Sequence, residues 1–498
     1  MGPCFIGIDV GTGSARAGIF DAQGHELASA SRPIRTWRPE AFHAEQSSGN
    51  IWQASCDAVK EVMEMAGLAA DAIKGIGFDA TCSLVVLDEA GNPVAVNQDG
   101  DDDRNIVLWM DQRAREEARE INETGARVLD YVGGRISPEM ETPKILWLSR
   151  HLSKTVERAA HFLDLADFLT FKATGSLTRS ICTLTCKWTY LAHENKWDRD
   201  YFETIGLGPL AEDDFARIGT EVSAPGTTLA SGLTAQAATE LGLNPGTAVG
   251  VGMIDAHAGA IGTLGAEGLP GAIGTRLAYV FGTSACTLNV TAEPAFVPGV
   301  WGPYKNALLP DLWLNEGGQS AAGGAIDHLV QSHPFSPRAQ KEAAKAGQSL
   351  TQWLESRARL MLEGASPAEM VAGIHVVPEF LGNRAPFADP AARAVIAGLG
   401  LEGDEDSLVR LYIAGVMSIG YGLRQILDAL SAQGVEITSV VISGGAARSR
   451  LVRRLLADAA DIAIATVETD EPVLLGSAML GAMAAGHGLG HLHQQGNS

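Results

Sequence analysis

From Phe5 the chain alternates: Ile6, Ile8 and Val10 fall on one side, Gly7 and Asp9 on the other. A period of two predicts a strand. Gly11, Thr12, Gly13 and Ser14 interrupt the pattern, and Ala15 to Phe20 resumes it, so Phe5 to Asp21 reads as strand, tight turn and strand. His25 to Ala28 can continue the same sheet. The design returns just past the midpoint, where Leu277 to Val290 reads strand, Gly282-Thr283-Ser284, strand. GTSAC there echoes GTGSA at the start and suggests two related halves. Further apolar runs predict strands at Ile73 to Phe78, Leu84 to Leu87, Ala248 to Ile254 and Val440 to Ser443. Helical spacing appears at Ile51 to Gly67, with Ile51, Trp52, Val59, Val62 and Met63 facing the core. It recurs at Met140 to Leu152, Leu233 to Leu241, Ser407 to Leu430 and Leu474 to Gly486. A charged helix is expected from Ser336, with Pro337 at its first position, towards Gly364. Arg32 to Gly49 reads as a polar surface loop, Asp164 and Asp167 fall in a turn, and the tail HLHQQGNS is expected to fray.

Composition narrows the class. The chain has 498 residues with 46% hydrophobic content, enough for two or three sizeable cores. Its 57 glycines and sparse aromatics, 6%, suit an α/β enzyme with many tight loops. A net charge of −22 argues against a nucleic-acid surface or an anionic-membrane patch. No apolar run approaches the ~18 residues of a membrane span, and no secretory signal opens the chain. Met1-Gly2 begins like a myristoylation site, but Ile6 stands where Ser or Thr is needed. The six cysteines form no CxxC pair, and Cys182 and Cys186 lack a second pair to complete a zinc site. Reduced thiols in a cytoplasmic protein are the expectation.

Chemistry concentrates at the turns. Gly11 to Ser14 exposes N–H groups and small hydroxyls in one concavity, which suits a phosphate. Asp9 beside it suits a hydrated Mg²⁺. The dinucleotide fingerprint is excluded, because Arg16 holds the third glycine position and a strand follows. The Walker loop is excluded because no Lys follows these glycines. Asp79-Ala80-Thr81-Cys82-Ser83 places small and polar residues between two buried strands. Trp109 and Asp111 after an apolar run form a plausible sugar clamp, and Lys187 stands alone in an uncharged segment. The acidic run Asp99 to Asp103 is not a calcium loop, since Arg104 and Met110 occupy the Gly and Glu positions. Asp255 ends a strand and faces a helix start, the usual ligand side of an α/β sheet. His257 points to a different side of that helix and reads as structural. Gly444-Gly445, between strand and helix, lets a flat ring approach the backbone.

Six stretches taken together resemble the FGGY family of carbohydrate kinases, over about 450 residues: GIDVGTGSARAG, METPKILWL, GMIDAHAGA, FGTSACTLNV, PEFLGNRAPFADP and SGGAARSRL. Glu141 departs from the small residue common at its place. The TCSLV string at Thr81 to Val85 is similar to the D-ribulose kinase branch, whereas an Arg-Glu pair would mark glycerol kinases. The resemblance implies an α/β fold of two actin-like (ribonuclease H-like) ATPase domains, 1–268 and 269–498, with substrates in the cleft between them. It implies ATP as co-substrate, Mg²⁺ near Asp9, and transfer of the γ-phosphate to O5 of a pentulose, most plausibly D-ribulose. Asp255 would be the general base. Ala80, Thr81, Cys82, Trp109, Asp111, Lys187 and Glu316 would contact the sugar. Gly11, Thr12, Gly13, Ser14, Arg16, Gly282, Thr283 and Gly318 would surround the phosphates, and Gly444, Gly445 and Ser449 would border adenine. Ribitol, L-ribulose and other pentose derivatives remain open as substrates. A non-catalytic actin-like ATP binder is the reading from another class, and a homodimer is left open.

Overall fold

The computed structural model describes residues 2–266 and 268–487; the tail expected to fray lies outside them. Two mixed sheets organise it. The first contains β1 (Cys4–Val10), β2 (Ser14–Asp21), β3 (Glu26–Pro33), β4 (Ile73–Ala80), β5 (Ala248–Val249) and β6 (Met253–Ile254). The second contains β7 (Arg276–Phe281), β8 (Ala285–Thr291), β9 (Trp301–Lys305), β10 (Trp313–Gln319), β11 (Ser439–Ser443) and β12 (Ala463–Thr466). Their orders correspond: β3-β2-β1-β4-β5 in one, β10-β8-β7-β11-β12 in the other. In each, an antiparallel meander is followed by parallel strands reached through crossovers. The echo between GTGSA and GTSAC is thus a repeat of topology. Both turns close alike, Gly11 N donating to Ser14 O at 3.0 Å and Gly282 N to Ser284 O at 2.8 Å.

Register carries the first sheet's chemistry. Every residue of β1 is buried, as befits a central strand. Asp9 lies opposite Arg16 on β2 and opposite Asp79 on β4, while Met253 of β6 is also opposite Asp79. Helices cover the faces. Ser47 caps α1 (Ser48–Ala66) by accepting from Asn50 N, and Gly67 ends it in the left-handed region at φ 61°. The others used below are α2 (Glu141–His151), α3 (Ile181–Lys187), α4 (Asp255–Leu264), α5 (Gly323–Ser332), α6 (Glu405–Ala432), α7 (Arg450–Ala460) and α8 (Pro472–Ala484).

The far end of the chain returns to the first sheet. Helix α8, well inside 269–498, packs on β1 and β4 of the first sheet and on α4. The contact is backbone against backbone. A Cβ on Gly77 would lie 1.8 Å from Ser477 O, and one on Gly476 would lie 1.9 Å from Ala258 O. Gly476, Ser477 and Gly481 of α8 allow this approach from either side. Gly77→Ala is therefore expected to destabilise the protein by about 1–3 kcal/mol, the usual cost of overpacking. Urea unfolding checks this, and a curve superimposable on the parent's would mean α8 does not seat against β4.

Other expectations shift locally. The stretch Arg32 to Gly49 is not a surface loop throughout, because Thr36–Trp37 and Glu45–Gln46 join a third sheet with Leu84–Leu87, Ile106–Val107 and His161–Asp164. Ala44 to Ser48 are buried there. Asp164 caps a helix and Asp167 lies in its first turn rather than in a loop. Ala248 to Ile254 is two short strands. The charged stretch after Ser336 breaks at Gly347, φ 65°, into Ser336–Lys345 and Leu350–Met361.

Candidate active site

Three groups of residues meet around the ends of the two sheets. The first is the pair of glycine turns. Gly13, Gly282 and Thr283 are exposed at their tips, and a Cβ on Gly13 would meet nothing within 4 Å, so packing does not demand that glycine. The Thr283 carbonyl accepts from Ala322 N and Gly324 N, which ties its turn to the start of α5. Gly318 differs from the others. It is buried within β10 at φ 145°, and a Cβ would fall 2.1 Å from Ala285 O. Close approach of strands, not a nucleotide, accounts for that glycine. Arg16 also departs from a pure phosphate role. Its guanidinium bridges Asp9 and Glu471, 2.7 Å from the latter.

The second group is carboxylate. Asp9 and Asp79 are buried on adjacent strands, and Asp255, half-buried, begins α4 one residue past β6. Neither oxygen of Asp79 has a hydrogen-bond partner among the described residues. Burial, then the facing Asp9 charge, push the Asp79 carboxyl well above the usual range. Burial and Asp9 likewise push Asp255 up to about 7, against the pull of the Ala256 amide and Lys187. Ala256 N donates to Asp255 Oδ1 at 2.7 Å and fixes its orientation. Orphaned carboxylate oxygens in a dry cluster are what a hard cation relieves, so this donor set fits Mg²⁺. Asp9 and Asp79 are the residues that would hold it. The sequence had marked Asp79 only as part of a turn, although the parallel register of β1 and β4 is what brings the two acids together.

The third group spans both halves. Lys187, at the end of α3, donates to both oxygens of Glu316 on β10 at 3.1 and 3.2 Å, and both side chains are buried. Burial opposes the charge on Glu316, but Lys187, His257 and Arg384 outweigh it and hold its pKa below the usual range. The Lys187 ammonium also lies 4.3 Å from the centre of the Trp301 ring. Arg384 comes from the loop between His375–Val377 and Val395–Ala397, its guanidinium over Trp301 and Trp109 and 3.6 Å from Cys286 Sγ. Trp301 had no part in the sequence reading, and Arg384 entered it only within the stretch PEFLGNRAPFADP, with no role of its own. Trp109 donates from Nε1 to Thr12 Oγ1 at 3.0 Å, which links the aromatic wall to the first phosphate turn. Thr81 Oγ1 and Ser83 Oγ are 3.1 Å apart, Ser83 Oγ accepts from Trp109 N, and Cys82 is partly exposed between them. Ala80 is fully buried and offers only backbone.

Asp111 does not join this wall. Its carboxylate is fully buried and saturated, accepting from Ala44 N at 2.6 Å, from Arg113 N at 2.9 Å and from the Arg113 guanidinium. The Trp-x-Asp spacing suggested a clamp, but the third sheet turns the acid inward. At the end of the second sheet, Ser449 caps α7 by accepting from Val452 N. Gly444 and Gly445 are exposed, and Gly444 borders a cleft of about 160 Å³ with Ser443, Arg448, Thr466, Asp470 and Pro472.

Comparison with known proteins agrees with this arrangement. Residues 4–262 match the N-terminal domain, and residues 277–485 the C-terminal domain, of the FGGY family of carbohydrate kinases. The human FGGY carbohydrate kinase domain-containing protein is 44% identical over 492 residues, 97% of this chain and 88% of its own length. A D-ribulokinase of Saccharomyces cerevisiae is 38% identical over 513 residues, 97% of this chain and 72% of its own. The structure of a ligand-bound xylulose kinase from Lactobacillus acidophilus superposes with a TM-score of 0.80 at 18% identity, covering 99% of this chain and 92% of that one. The fold is the two-domain actin-like one. Among the described residues no helix is long and apolar enough to cross a membrane. With glycine turns at matching places in both halves and family models matching nearly end to end, the chain belongs to the FGGY family of carbohydrate kinases, ATP-dependent enzymes that phosphorylate sugars.

Proposed function

We propose that this kinase transfers the γ-phosphate of ATP to the terminal O5 of D-ribulose, with Asp255 as general base. The observation that carries the sugar assignment is the small, uncharged segment Thr81-Cys82-Ser83 standing near the buried Lys187–Glu316 pair. Hydroxyls that both donate and accept match a polyol without imposing charge. Cys82 leaves room where a longer side chain would intrude. Lys187 donates to the keto oxygen or a neighbouring hydroxyl, and Glu316 accepts from another. The 38% identity to a D-ribulokinase supports the same choice.

Phosphoryl transfer through a loose transition state asks for in-line positioning, charge neutralisation and late proton removal. Backbone N–H groups of the turns at Gly11 to Ser14 and at Thr283 cradle the phosphates. Gly444 and Gly445 admit the adenine ring. Asp255 takes the O5 proton as the new bond forms. Mg²⁺ bound by Asp9 and Asp79 would supply positive charge opposite the phosphates. Lys187, Glu316 and Trp109 fix the sugar so that O5 meets Asp255.

The test is coupled ADP release across pentuloses, pentitols and glycerol. A site built around given hydroxyls rejects analogues lacking them, because its buried partners stay unpaired. We expect kcat/KM for D-ribulose to exceed that for glycerol and D-xylulose at least about a hundredfold, which corresponds to roughly 2.7 kcal/mol. Thr81→Val should erode that preference more than it weakens ATP binding. Equal use of glycerol or D-xylulose overturns the sugar assignment and leaves the kinase assignment standing. Greater use of ribitol or L-ribulose moves the assignment to that compound.

A further inference from the structure

Beneath the Lys187–Glu316 pair lies a cluster that phosphoryl transfer does not use. Cys182 and Cys186 stand four residues apart on α3, on one face of the helix. His257, from the first turns of α4, meets them there. All three side chains are fully buried, and their ligand atoms lie within 4.8 Å of one another. Cys186 Sγ is 3.7 Å from His257 Nε2, and His257 Nε2 is 3.7 Å from Glu316 Oε2. The sequence offered only two cysteines without a second pair; the fold adds an imidazole and a carboxylate from far along the chain.

We propose that Cys182, Cys186 and His257 form a binding site for a thiophilic divalent cation, with Zn²⁺ the best match and the Glu316 carboxylate beside it. The argument is geometric first. Tetrahedral Zn²⁺ has Zn–S of about 2.3 Å and Zn–N or Zn–O of about 2.0–2.1 Å, so its S···N edge is about 3.6 Å and its N···O edge about 3.4 Å. The Cys186 Sγ···His257 Nε2 edge, 3.7 Å, already lies within a few tenths of an ångström of the first of those values. Thiolate and imidazole donors also select Zn²⁺ over Mg²⁺, so this site is separate in chemistry from the Asp9–Asp79 carboxylates. Charge balance is the second argument. Zn²⁺ enters as the two thiols each lose a proton to solvent, so one divalent cation replaces two protons. The buried cluster of two sulfurs, neutral His257, Glu316 and Lys187 therefore carries the same net charge before and after. Burial and the absence of a hydrogen bond at His257 Nδ1 among the described residues leave that ring with Cys186 and Glu316 as its polar contacts.

Occupancy has a consequence for turnover that rests on the sugar role proposed above for Glu316. A cation on His257 Nε2, which faces Glu316 Oε2 at 3.7 Å, attracts that carboxylate away from Lys187 and from the sugar, so Zn²⁺ acts as an inhibitor competitive with sugar.

Cobalt(II) added to the metal-free full-length protein tests binding independently of activity. We expect one Co²⁺ per chain, a thiolate-to-cobalt charge-transfer band in the near ultraviolet, and loss of that band when Zn²⁺ is added. The band should vanish in Cys186→Ser and in His257→Gln, and persist in Cys56→Ser, whose sulfur lies in α1. Circular dichroism melts select the variants that are folded, and Cys182→Ser serves if one of the others is not. A folded parent protein without the band, or a band that survives Cys186→Ser, overturns the site. If the band forms and sugar KM does not rise with Zn²⁺, the site stands and its competition with sugar falls.

Discussion

Asp255→Asn is expected to lower kcat by about two to four decades, the range over which a general base contributes. Nucleotide affinity should be largely kept, because the substitution preserves size and the Ala256 N–H can still donate to the side-chain oxygen. The pH profile is the sharper readout. Burial and the Asp9 charge push the Asp255 carboxyl up to about 7. A base must be ionised to accept a proton, so kcat/KM for the sugar should rise with pH through about 7 and level off above it. In Asp255→Asn the limb should vanish along with the rate. Near-normal turnover in this variant would sink the base assignment. Stability should move the other way. The folded pKa is raised above the unfolded one, so the stabilisation from this group is complete below the unfolded carboxyl range and is lost as pH rises through about 7. At pH 8 the Asn variant should therefore melt above the parent, a gap that closes as the solution is acidified. An active site that is less stable than its inactive isostere is the expected mark of a group kept for chemistry.

The second large effect concerns Lys187. Lys187→Met removes the cation from a buried pair and strands Glu316, whose charge burial alone disfavours. Breaking such a pair from one side costs about 3–5 kcal/mol. Glu316→Gln in the Lys187→Met background removes the stranded charge, and we expect it to recover most of that loss in urea unfolding. It should not recover sugar kcat/KM, because neither the donor nor the acceptor is restored. Recovery of both would mean the pair only holds the two lobes together. Recovery of neither would mean that the loss arises from packing against Trp301 rather than from charge.

What could be read in the chain beforehand was local. Both glycine hairpins and the helix at Ile51 to Gly67 declare themselves through short-range period and punctuation, and the structure keeps them, while the strand expected before Asp255 is split into two short ones. The partnership of Lys187 with Glu316 spans 129 residues, and only the family pattern put the two in one site. Asp79 was in view as a turn residue, but its meaning depends on parallel register with Asp9, which no local pattern encodes. Asp111 shows the opposite failure. A Trp followed by an acid looks like a sugar clamp in one dimension, and only the third sheet reveals that Arg113 and Ala44 consume both oxygens. Gly318 likewise shared a composition with the phosphate turns while serving strand contact.

Helix α8 has a consequence for how the protein is made. Ribosomal synthesis delivers β1 and β4 early, yet the helix that covers their glycine-lined face is among the last described segments to emerge. Until then the nascent first lobe carries an open apolar groove, ready to bind a chaperone or a neighbouring chain. The second lobe can assemble its own sheet in the meantime. Completion of the first lobe is thus a late event, and a message cut short ahead of Pro472 would yield a chain whose earliest-made half is the one left unfinished.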